Sequence, residues 1–103
     1  MTLLALLEDA AAGLSDVEVR TAPIGEVAWS RGGRPFAVVS GDGAAAEFAL
    51  DPAVAAAASR TPDVVPSGLG AEWVLFRPAV LDDHGRDRAR AWFESAYRRL
   101  STG

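Results

Sequence analysis

Cysteine is missing from this sequence. That excludes disulfides, thiol nucleophiles, zinc held by thiolates and cysteine-bound iron–sulfur clusters, and it fits a reducing compartment. Lysine is missing too, so all ten basic residues are arginine. With a net charge of −4 and no basic run longer than Arg98-Arg99, nothing resembles the cationic stripe that neutralises a phosphate backbone. The arginine bias and heavy alanine use are those of GC-rich bacterial coding. Long apolar runs are scarce as well. Residues 1–7 begin like a signal peptide, but no basic leader precedes them and Glu8 and Asp9 cut the run short. No stretch nears the roughly 20 apolar residues of a membrane span. The expectation is a soluble, cytoplasmic chain.

What is present is core material. Of 103 residues, 50% are apolar, and Trp29, Phe36, Phe48, Trp73, Phe76, Trp92, Phe93 and Tyr97 supply bulk. This predicts a single domain over residues 1–103. The last third has the clearest pattern. Residues 73–76 read as a strand that Pro78 ends, and Ala89, Trp92, Phe93, Ala96, Tyr97 and Leu100 recur at intervals of three and four, the stripe of a long helix with one buried face. Asp87, Arg90, Glu94 and Arg98 take the other side. Asp82 or Asp83 suits its N-cap, and Arg98 and Arg99 its last turn.

Upstream, Leu3, Leu4, Leu7, Ala10, Ala11 and Leu14 share a face of a first helix, with Thr2 as cap and Gly13 as stop. Alternation predicts strands over 16–20, 26–30 and 36–40 and a fourth ending at Leu50, joined by turns at Pro23–Gly25, Arg31–Pro35 and Gly41–Gly43. Their expected inward residues are Val27, Trp29, Phe36, Val38, Phe48 and Leu50. Asp51-Pro52 reads as an Asp cap with proline at the first helical position, opening a short alanine-rich helix. Residues 63–71, with Pro66, Gly68 and Gly70, read as a loop. The predicted fold is α+β: an N-terminal helix, an antiparallel meander of about four strands, a short helix, a fifth strand and a long C-terminal helix, with the helices packed on one sheet face.

Three features carry a family resemblance: the meander Trp29-x-x-Gly32-x-Arg34-x-Phe36-Ala37, the strand Gly70-x-x-Trp73-Val74, and the closing Ala96-Tyr97-Arg98. They resemble the MmcQ/YjbR-like small bacterial domains, whose order of elements agrees along nearly the whole chain. That resemblance implies an α+β fold likened to a double-wing DNA-binding motif, with no catalytic residues. A second resemblance, through the Gly41-Asp42-Gly43 turn before an acidic–apolar strand, is to small actinobacterial luciferase-like domains. It would imply oxidative light-emitting chemistry, for which this sequence has no flavin or metal motif.

Candidate sites follow from residue chemistry. Trp29, Trp73, Trp92 and Tyr97, with Arg77 and His84 as polar partners, can line an aromatic pocket between sheet and C-terminal helix. Core packing is the competing use of the same rings. Arg31 and Arg34 flank two glycines at a hairpin tip and can present guanidinium and backbone N–H groups to an anion, or to nucleic acid. His84 beside Asp82 and Asp83 has the makings of an acid–base group, but the trio reads equally as a helix start, and its spacing with Asp87 matches no metal motif. No catalytic residue, metal or cofactor is assigned. The leading expectation is a non-enzymatic binding or protein-interaction module, with a homodimer or a small-molecule ligand as partners. The alternatives are an aromatic pocket protein and a nucleic-acid binder using the hairpin arginines.

Overall fold

The computed structural model describes residues 2–100. Helix α1 (Leu3–Ala12) begins where the Thr2 hydroxyl accepts the Ala5 N–H at 3.1 Å and ends at Gly13. It buries Leu3, Leu6, Leu7 and Ala10. Leu6 therefore joins the expected face, while Leu4, Ala11 and Leu14 flank it half-buried. Four strands follow, β1 (Val17–Thr21), β2 (Val27–Arg31), β3 (Arg34–Val39) and β4 (Ala46–Ala49). Then come α2 (Pro52–Ala58), β5 (Val64–Pro66), β6 (Trp73–Phe76) and α3 (Asp83–Arg99). The six strands form one antiparallel sheet in the order β1-β2-β3-β4-β6-β5, with the helices on one face.

Strand β5 lies inside the segment expected to be a loop. Three residues between Pro62 and Gly68 are too few for alternation to register. Pairing only with β6 puts Pro66 at the sheet edge, where its missing N–H costs no ladder bond. The β2–β3 connection is also tighter than expected. Arg31 pairs directly with Arg34, leaving only Gly32 and Gly33 in the turn at φ 58° and 79°. Positive φ at both positions is the hairpin geometry that matches strand twist.

A bulge redirects β3. Trp29 faces Ala37 and Ser30 faces Pro35, so Phe36 is an extra residue in its strand. An extra residue breaks the period-2 alternation. Phe36 thus turns fully into the core, whereas Val38 pairs with Ala28 and Glu47 and lies outside the core cluster. The expectation that Phe36 and Val38 point the same way is corrected by that one residue.

The core centres on Phe93. Its ring meets Trp29 edge-on at 5.4 Å and Phe36 at 5.2 Å, and Phe36 continues to Tyr97 at 5.9 Å. Trp92, one residue earlier on α3, reaches Phe76 at 5.3 Å and Phe48 at 6.1 Å. Tilted and edge-on ring pairs of this kind add about 0.5–1.5 kcal/mol each beyond area burial. Asp82 caps α3, accepting the Gly85 N–H at 2.8 Å. Asp51 stands at the N-cap of α2 with Pro52 as the first helical residue, as expected, but its side chain makes no capping hydrogen bond: the carboxylate lies 3.5 Å from Arg99 Nε instead.

Candidate functional site

With every helix on one side of the sheet, the other side carries a surface built only from strands. Strand register defines its central row, which crosses all six strands: Arg20, Ala28, Val38, Glu47, Leu75 and Val65. A second row begins Glu18, Ser30, Pro35. The centre of this face is small and apolar, with Ala28 half-buried and Val38 buried. Its far edge exposes Val65 by 52%, and Leu69 in the following turn by 55%. Over Glu18, Arg20, Ala28, Ser30 and Pro35 the surface dips into a shallow groove of about 290 Å³.

Two charges interrupt the apolar row. Glu47 is half-buried at mid-face, and its carboxylate accepts the Ser67 hydroxyl from the loop after β5. Arg20 is exposed on the outer strand. Neither joins an ion pair among the described residues. Three strand spacings, about 14 Å, separate them. At physiological ionic strength that exceeds the distance over which exposed charges act on each other.

The aromatic and polar residues proposed as a pocket lining are not brought together. Trp29 is completely buried and Tyr97 nearly so, while Trp92 is half-buried against Phe48 and Phe76, so these three fill the core. Arg77 lies at the rim of the sheet, its Nη2 3.4 Å from Asp42. His84 is exposed and makes no hydrogen bond or ion pair among the described residues. Its neighbours are engaged elsewhere, Asp82 in the helix cap and Asp83 with Arg86.

Trp73 is half-buried and borders open space. It lines a cleft of about 630 Å³ with Arg34, Asp51, Ser95 and Arg98, and Arg99 closes one side through ion pairs with Glu72 and Asp51. The hairpin arginines differ in what they engage. Arg34 is exposed and reaches this cleft, whereas Arg31 folds back onto α3, its guanidinium 4.0 Å from the centre of the Tyr97 ring and its Nη1 3.3 Å from the Tyr97 carbonyl. Both nevertheless line a second cleft of about 840 Å³, beside Asp16, Glu18 and Leu100, so the hairpin tip keeps the two arginines side by side, with one of them stacked on Tyr97 and two carboxylates close by.

One titrating group stands out. The Ser40 hydroxyl donates to Asp42 at 2.6 Å and the Ala44 N–H at 2.9 Å. Those bonds, with a smaller part from Arg77, hold the Asp42 carboxyl below the usual aspartate range. Among the described residues no three His, Cys, Asp or Glu side chains are placed to hold a metal ion. Among them, too, no helix is long and apolar enough to cross a membrane. Sequence reasoning passed over Arg20, Glu47, Ser67 and Leu75. Their only signal was position: Glu47 and Leu75 each sit between apolar neighbours, as surface residues of a half-buried strand do, and Arg20 follows Val19.

No model of a known protein family, no curated protein and no solved structure matches this chain.

Proposed function

We propose that this chain is a non-enzymatic protein-interaction module of the MmcQ/YjbR-like kind, working in the cytoplasm through the uncovered face of its sheet. One observation carries the reading: a six-stranded sheet with all helices on one side leaves the row Ala28, Val38, Leu75, Val65 on the other, apolar except where Arg20 and Glu47 interrupt it. Apolar surface rimmed by charge is the common composition of a protein contact. A photo-crosslinking residue at Val65 tests this against the same residue at Ala91, which is exposed on the outer side of α3. Adducts formed in cells from position 65 and not from position 91 are the expected result. Adducts from 91 alone would move the working surface to the helices and end this reading.

A second reading is favoured by the cleft that joins Trp73 and Arg34. An indole face beside a guanidinium suits a small carboxylate or phosphate compound with an apolar body. A ligand that binds only the folded chain raises its melting temperature by mass action. A screen of such compounds in which Trp73→Ala abolishes the shift supports this use of the cleft, and a flat screen removes it.

A further inference from the structure

We infer that the uncovered face is a self-complementary dimer surface, in which Arg20 of one copy pairs with Glu47 of the other. The inference rests on the reading of that face as the working surface, and names its partner. Glu47 is the starting point. A half-buried carboxylate in the middle of an otherwise small, apolar face cannot be covered by apolar surface alone, because an unpaired charge taken out of water is strongly disfavoured. A cover that brings a cation to Glu47 offsets that cost, and Arg20, exposed beside Glu18 at the edge, is the cation this face itself carries.

A second copy supplies it. Place a twofold axis between two stacked sheets, parallel to the strands and midway between β2 and β3. The four residues that β1 to β4 give to the central row then lie over their mirror positions about that line, Arg20 over Glu47, Ala28 over Val38, and the reverse on the other half, while Leu75 and Val65 on β6 and β5 stay outside the contact. The second row follows, with Ser30 over Pro35. Size agrees with charge. Ala28, Ser30 and Pro35 line the groove of about 290 Å³, and the exposed Pro35 of the second copy is the side chain set above Ser30, with the buried Val38 level beside it. Contacts of this kind occur twice in any twofold interface, so a single compatible pair becomes two. The Ser67 hydroxyl uses one acceptor site of Glu47 and leaves others for a guanidinium.

The contact is modest in extent. Four strands about 4.8 Å apart and about five residues long span roughly 300 Å² of face per copy. A stable interface takes about 800 Å² per partner, so the dimer is a weak, reversible one.

Sedimentation equilibrium on the wild-type chain, from micromolar to millimolar concentration, is the first arm. Mass rising toward twice the monomer is expected. Arg20→Glu and Glu47→Arg each place like charges together at both contacts and should weaken association about tenfold or more. The deciding arm is the equimolar mixture. In the mixed pair, the carboxylate introduced at position 20 of one variant faces the guanidinium introduced at position 47 of the other. The second contact is the native one, Glu47 of the first variant against Arg20 of the second. Two variants that fail alone should therefore associate with each other. A mixture no better than its components overturns the pairing, as does a wild-type dimer indifferent to both substitutions. A wild-type chain that stays monomeric throughout overturns the dimer itself, while crosslinking from position 65 then still reports separately whether the face serves another protein. If Glu47→Arg does not fold, Arg20→Glu alone decides: dimerisation at wild-type strength rejects the inference.

Discussion

Arg31 and Tyr97 lock the tip of the β2–β3 hairpin onto the last turns of α3. The guanidinium stacks on the ring at 4.0 Å and donates to the Tyr97 carbonyl at 3.3 Å, while the Tyr97 hydroxyl donates to the Ser15 carbonyl at 2.7 Å. Hairpin, C-terminal helix and the turn after α1 thus meet at one ring. A stacked, half-buried cation contributes about 0.5–1 kcal/mol or somewhat more, and its hydrogen bond a similar amount. Arg31→Ala should therefore cost about 1–2 kcal/mol in urea unfolding. Arg34→Ala, three residues away and exposed, should stay within about 0.5 kcal/mol. Equal effects from the two would mean that the stack does not persist in solution.

The aromatic core gives a graded prediction on neighbouring residues. Phe93 is fully buried between Trp29 and Phe36, so Phe93→Ala should cost about 3–5 kcal/mol, a large part of the stability of a domain this size. Trp92 has the larger side chain but keeps part of it in solvent, and its two ring contacts are to Phe48 and Phe76. Trp92→Ala should cost less, about 1–3 kcal/mol. Denaturant melts that rank Trp92 above Phe93 would contradict the packing described.

Much of this architecture was legible because it rests on local rules. The spacing of Ala89, Phe93, Ala96 and Tyr97 marks the buried face of α3, and Asp82 marks its start within one residue. Residues 73–76 are bounded as a strand by the chemistry around them. What was not legible depends on pairing. A bulge is one extra residue, and no periodicity within β3 reveals that Phe36 is opposite nothing on β2. Strand β5 is too short to carry a pattern of its own and exists only because β6 is beside it. The candidate site belongs to this second class. Arg20 and Glu47 each read as an ordinary solvated position, and only the register across β1 to β4 places them in one row. Conversely, the rings that looked like a pocket lining were read from composition, and burial assigns most of them to the core.

Two turns meet closely at Gly41. A Cβ there would lie 2.5 Å from the Ile24 carbonyl oxygen, a backbone atom that cannot rotate away. Gly41→Ala must push the 22–26 turn from the 40–43 turn, at a cost of about 1–3 kcal/mol typical of forced overpacking. Gly68 is the control, since a Cβ there meets nothing within 4 Å and its φ is not in the left-handed region. Gly68→Ala should be neutral, or stabilising by about 0.4–1 kcal/mol through the unfolded chain. Thermal melts of the two variants separate the cases directly.

The Asp42 carboxyl provides a pH-dependent readout of the same corner. Its folded pKa is lowered first by the Ser40 hydroxyl, next by the Ala44 N–H, and less by Arg77. A group whose pKa falls on folding adds stability that is complete above its unfolded value, about 3.9 for aspartate. That contribution is lost as pH drops through the lower, folded value. The turn should therefore keep its ionised form to below the ordinary aspartate pKa. A carboxyl carbon titration by NMR checks this. The Asp42 midpoint should lie below the ordinary aspartate value in the wild type and climb most of the way back in Ser40→Ala. Arg77→Ala should move it less, because the pair is open to solvent and salt screens it. A wild-type midpoint equal to that of Ser40→Ala would mean the hydroxyl does not hold the carboxylate. A larger shift from Arg77→Ala than from Ser40→Ala would make the corner an ion pair first and a hydrogen-bonded turn second.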